Sequence, residues 1–107
     1  MRIHEGVSLL EQVLTSDLKK KLETLAGVNE EDITITERGF KFNFKNSLKA
    51  NYCRVVKYHD GVIVEFRKQT DNLLEGKMDR LIFEQVINPQ EISTVFEDVT
   101  GIYLSYI

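Results

Sequence analysis

The chain has 107 residues and a formal net charge of −3, enough for one domain with its own core and no metal or disulfide staples. Its apolar fraction of 42% and charged fraction of 29% exclude a disordered polymer. A single cysteine, Cys53, excludes an intramolecular disulfide, and apolar runs such as Val62-Ile63-Val64 fall far short of the roughly 18 residues of a membrane span.

The opening Met1-Arg2-Ile3-His4-Glu5-Gly6 lacks the apolar core of a signal peptide, and Glu5 and Glu11 are unlike a transit peptide, so a cytoplasmic location is expected. In the first segment Val7, Leu10, Val13 or Leu14, Leu18, Leu22 and Leu25 recur at three- to four-residue steps, which predicts helix. Ser8 and Glu11 have the spacing of a capping box. Ser16-Asp17 equally fits the cap of a second helix, so one long helix and two short ones both remain open. Gly27 ends the segment.

The period then changes to two. Asp32 to Glu37 alternates apolar and polar residues, Arg38-Gly39 reads as a two-residue turn, and Phe40 to Lys45 places three phenylalanines on one face. That turn would pair Ile35 with Phe42 and Ile33 with Phe44. After Asn46-Ser47-Leu48-Lys49, residues 52–58 and 62–68 form a second predicted hairpin around His59-Asp60-Gly61. A two-residue loop gathers Cys53, Val55, Val64 and Phe66. A three-residue loop gathers Tyr52, Val56, Tyr58, Val62, Val64 and Phe66, the more apolar set, and is slightly preferred although it turns Arg54 inward.

Residues 69–79 read as a loop and 80–87 as a strand or short helix, with strand favoured because Asn88-Pro89 follows. Asn88, Pro89 and Glu91 start a helix whose apolar positions are Ile92, Val95, Phe96 and Val99, and Gly101 stops it. The apolar residues 102–107 are expected to add a terminal strand. The predicted fold class is α+β: an antiparallel sheet of four to six strands in one domain spanning 1–107. One N-terminal helix, or two short ones, and a C-terminal helix pack on one face.

Catalytic signals are weak. His4 and His59 stand far from any second ligand at metal spacing, and no phosphate-binding loop or nucleophile elbow can be built from the six glycines. Cys53 lies mid-strand beside valines, where a thiol behaves as a small hydrophobe rather than a nucleophile primed by Arg54 and His59. The acidic groups Glu30-Glu31-Asp32 and Glu97-Asp98 lack calcium-loop spacing and read as solvated surface. Tyr58, His59 and Asp60 are the residual candidates for an unrecognised enzyme site. No catalytic residue, cofactor or metal is therefore expected.

Charge is segregated. Residues 1–37 sum to −4, residues 38–68 to +6 and residues 69–107 to −5. The basic centre, with Lys41, Lys45, Arg54, Lys57, Arg67 and Lys68 as its candidate contact residues, suggests recognition. The sequence leads to a non-enzymatic protein-interaction module: a small adaptor, inhibitor or regulatory subunit, with self-association as a homodimer among its forms. Val56, Ile63, Tyr103 and Ile107 are candidate apolar contacts, and residues 102–106 a candidate edge strand. The alternative is a nucleic-acid-binding module using the basic meander 38–68, weakened by an overall acidic chain and by phenylalanines that alternation buries. No membrane partner is expected.

Overall fold

The computed structural model describes residues 4–72, 74 and 76–104. Two short helices open the chain, α1 (His4–Val13) and α2 (Ser16–Ala26). Thr15 separates them. Its backbone is extended (φ −63°, ψ 165°) and its hydroxyl accepts the Leu18 amide at 3.3 Å, so Thr15 rather than Ser16-Asp17 is the N-cap. Asp17 sits in the first turn, where the helix dipole favours an acid, and pairs with Lys21 at 3.2 Å. Ser8 lies inside α1, so its spacing to Glu11 is not a cap. Gly27 ends α2 in the left-handed region at φ 65°.

Five strands follow as an antiparallel meander in chain order: β1 (Ile33–Ile35), β2 (Gly39–Asn43), β3 (Tyr52–Tyr58), β4 (Gly61–Asn72) and β5 (Gly76–Ile87). A 3-10 turn at Pro89–Glu91 leads into α3 (Ile92–Thr100), which Gly101 stops at φ 77°. The architecture is thus α+β, with the helices on one side of the sheet.

The first hairpin has a two-residue turn, but at Glu37-Arg38: the Thr36 amide donates to the Gly39 carbonyl at 2.9 Å. Ile35 therefore pairs with Phe40 and Ile33 with Phe42, two residues from the register expected from an Arg38-Gly39 turn. A shift of two leaves every side chain on its expected face. Gly39 serves close packing instead of the turn, since a Cβ there would lie 1.8 Å from the Val55 carbonyl oxygen.

In the second hairpin Tyr58 pairs with Gly61, so the loop is the two residues His59-Asp60 and the slightly preferred three-residue loop is wrong. Cys53, Val55, Val64 and Phe66 share the buried face. Tyr52, Arg54, Val56 and Tyr58 point to the other side. The larger apolar set lost because it would have buried Arg54 without a place for its charge.

The stretch 69–79 is not a loop. Strands β4 and β5 have 12 residues each and pair as far as Asn72 with Gly76. Ile82 is the extra residue of a bulge between the pairs Phe66–Phe83 and Arg67–Leu81, and it packs on the core edge. Beyond the bulge the hairpin extends as an arm, with residues 76–81 all exposed. Asn51 anchors its base: its side chain accepts the Gln69 amide at 2.7 Å and donates to the Gln69 carbonyl at 2.6 Å, replacing one rung of backbone pairing.

The expected terminal strand does not form over residues 102–104. After Gly101 the chain turns back, the Ile102 amide donates to Thr100 Oγ1 at 3.1 Å, and Ile102 and Leu104 are buried among the helices and β2 instead of in a ladder. Residues 105–107, including the candidate Ile107, lie outside the described residues, and Tyr103 is exposed beyond α3.

The inner face of the sheet forms the core. Phe40, Phe42, Phe44, Val55, Val62, Val64 and Phe66 meet Leu9, Leu22, Ala26, Ile92 and Phe96 from the helices. The Phe44 ring lies 5.1 Å from Phe96, and the Phe66 ring 5.9 Å from Phe96 and 6.1 Å from Phe83. Burying each such ring contributes roughly 1.5–3 kcal/mol of transfer free energy.

Candidate interaction face

Among the described residues no helix lies on the outer face of the sheet, and strand pairing arranges that face in rows. One row runs Gly39, Val56, Ile63, Val86. The next runs Lys41, Arg54, Glu65, Glu84, and a third Asn43, Tyr52, Arg67, Leu81. Gln69 and Asp79 continue the face onto the arm. The first row is apolar; Val86 is 56% exposed, and Tyr58, 43% exposed, extends the patch toward the hairpin tip.

Glu65 is the centre of the charged row. It is only 6% exposed although no helix covers it, because the two flanking arginines lie across it. Arg67 Nε donates to Glu65 Oε1 at 2.9 Å, and Arg54 approaches Oε2 at 3.5 Å. Burial alone would push the Glu65 carboxyl up. The Arg67 hydrogen bond, the Arg54 charge and a contact with Glu84 outweigh it and hold the pKa below the usual carboxylate range. Arg67 in turn donates from Nη1 to Asp79 Oδ1 at 3.1 Å, and these carboxylates hold its guanidinium pKa well above normal. Gln69 Nε2 reaches Asp79 Oδ2 at 3.3 Å, and Asn43 Nδ2 reaches Gln69 Oε1 at 3.0 Å. A continuous polar chain therefore runs from Arg54 to Asn43 across β2, β3, β4 and β5.

Of the six predicted contact residues, Lys41, Arg54 and Arg67 fall together on this face. The other three do not join them. Lys45 lies past β2, where its amide donates to the Ala26 carbonyl at the C-terminus of α2 at 2.7 Å. Lys57 has the inner-face parity of Val55 and pairs with Val62 near the hairpin tip. Lys68 also has inner-face parity, with Nζ 3.5 Å from the Ser47 carbonyl. Val56 and Ile63 sit side by side on the outer face. Sequence reasoning missed Glu65, Glu84 and Val86. The β3–β4 register places Glu65 opposite Arg54, and the β4–β5 register, which runs on through the segment read as a loop, places Glu84 and Val86.

The other chemical candidates stay apart or exposed. Cys53 is fully buried, and burial, with a smaller push from the Glu65 charge, drives its thiol pKa far up, away from nucleophilic character. His59 is six residues further along the chain, just past the end of β3 and roughly 20 Å away at strand spacing. The Tyr58 and His59 rings meet edge to face at 4.5 Å on the exposed tip, with Asp60 also exposed. His59 holds φ 48°, unusual for a residue with a side chain. Glu30 pairs with Lys19 at 3.6 Å, and Asp32 Oδ2 accepts the Asn29 amide at 2.9 Å, so the first acidic group is structural.

A cleft of about 360 Å³ between the start of α2 and α3 is lined in part by Asp17, Lys21, Ser93 and Glu97, and among the described residues its lining holds neither histidine nor cysteine. Among the described residues no group of three or more His, Cys, Asp or Glu could hold a metal ion, and no helix is long and apolar enough to cross a membrane. Comparison of the chain with protein-family models, with curated proteins and with solved structures finds no match.

Proposed function

We propose that this chain is a non-enzymatic protein-interaction module that works through the outer face of its sheet. The observation that carries the reading is the apolar row Val56–Ile63–Val86, left uncovered beside a pre-ordered charged row. An apolar strip bordered by fixed polar groups is the usual composition of a recognition patch. The charges on the face are balanced: Lys41, Arg54 and Arg67 stand against Glu65, Glu84 and Asp79. A phosphate-binding surface needs an excess of cations, so the balance favours a protein partner over nucleic acid. A small adaptor, an inhibitor and a regulatory subunit all fit this chemistry, and so does self-association. A cytoplasmic setting fits the free thiol of Cys53.

The test is capture of a partner by the wild type and by Val86→Glu, which puts a charge into the apolar row. The expected result is loss of the partner with the fold intact by circular dichroism. Equal capture by both would place recognition elsewhere. Fluorescence anisotropy with single-stranded oligonucleotides at low and high salt should show no salt-dependent binding.

A further inference from the structure

Resting on that reading, we propose that the occupant of the outer face is a second copy of this chain. The two sheets stack face to face about a two-fold axis that runs parallel to the strands between β3 and β4. Such a rotation lays β2 over the partner's β5 and β3 over the partner's β4, while each row lies over its own equivalent.

The charged and apolar rows are each complementary to themselves under this operation. In the charged row Lys41 meets the partner's Glu84, twice by symmetry, and the Arg54–Glu65 ion pair lies over its own equivalent in opposite order. In the apolar row Val56 meets the partner's Ile63. The exposed Val86 falls over the partner's Gly39, the one position in the row with no side chain. In the third row Tyr52 meets the partner's Arg67, a cation over a ring. Lys41 has no carboxylate partner among the described residues, so its charge is available to the partner's Glu84.

The competing stack, with its axis across the strands and through the charged row, puts Lys41 on Lys41 and Glu65 on Glu65. Its like charges oppose it. Stacked sheets lie about 10 Å apart, a gap that a lysine and a glutamate reaching toward each other can span. The shared face is roughly 20 Å by 20 Å from strand and residue spacing, the size of a small interface and not of an obligate one. The dimer is therefore expected to be weak and concentration-dependent.

Charge reversal tests this. Lys41→Glu and Glu84→Lys should each weaken the dimer at least about tenfold in sedimentation equilibrium, and the double variant should return to within about threefold of wild type. Within one chain the two residues are three strand spacings apart, roughly 14 Å and beyond the Debye length at physiological salt, so rescue reports contact between copies. Lys41→Gln and Glu84→Gln should weaken association in the same direction by about threefold, and they serve if a reversal unfolds the chain.

A wild type that stays monomeric at several hundred micromolar overturns the proposal. So does a dimer unaffected by either reversal. If that dimer is nevertheless lost in Val86→Glu, the outer face remains the recognition surface and only this stacking falls. A monomer whose captured partner is lost in Val86→Glu overturns the second copy and leaves the recognition reading standing. A monomer captured equally with and without Val86→Glu overturns both.

Discussion

The two faces of one sheet have opposite organisation. The inner face is close-packed: Phe40 and Phe66 are wholly buried, and the rings of Phe44, Phe66 and Phe96 lie within about 6 Å of one another. Its specificity is one of shape, and its free energy is that of area removed from water. The outer face excludes little water, yet it is ordered by pairing: Glu65 is fixed by two arginines and linked through Asp79 and Gln69 to Asn43. Alternate residues of β3 and β4 thus belong to the core and, on the proposed reading, to a recognition surface. Substitutions on one face should move stability, and those on the other should move association.

The sharpest way to break that contrast is at Phe66. Phe66→Ala empties a site shared by Phe44, Phe83 and Phe96 and should cost about 3–5 kcal/mol in urea denaturation. Gly39→Ala follows. Its Cβ would collide with the Val55 carbonyl, so β2 and β3 must separate locally, at about 2–3 kcal/mol by the same measurement.

Glu65→Gln should cost about 1–2 kcal/mol at neutral pH, because the hydrogen-bonded Arg67 and the nearby Arg54 lose their counter-charge. The Glu65 pKa is lowered by folding, so its contribution is complete above the unfolded carboxylate pKa. It is lost as pH falls through the lower folded value. Below about pH 4 wild type should therefore lose stability more steeply than Glu65→Gln, and the two thermal midpoints should converge.

His59→Gly relieves a left-handed residue at the hairpin tip and should raise stability by about 0.5–1 kcal/mol in thermal melts. The smallest effect on stability belongs to Val86→Thr, within about 0.5 kcal/mol, since the side chain is half in water. That same change should measurably weaken association.

What could be read from sequence, and what could not, follows the same division. Strict alternation in Phe40 to Phe44 fixed the inner face, because a register slip of two, as between Ile35 and its partner, changes no side chain's direction. The second hairpin was harder. Tyr52, Val56 and Tyr58 are as apolar as the true core set, and only the fate of Arg54, paired with Glu65 on the outer face, decides between loops. The arm was illegible because both its faces meet solvent and Gln69 to Asp79 carries no period for burial to impose. With the arm read as a loop, Glu84 and Val86 had no neighbours, and half of the interaction face was hidden. The tail 102–104 is apolar for packing against helices, a role that composition does not separate from a strand.

On the proposed reading, the outer face meets a second copy of the chain and the helical face does not. Amide and methyl NMR spectra of the wild type recorded from about 10 to about 500 µM separate the two faces. Shifts should change with concentration at Val56, Ile63, Glu84 and Val86 and stay constant on α1, α2 and α3. Changes confined to the helices would contradict it.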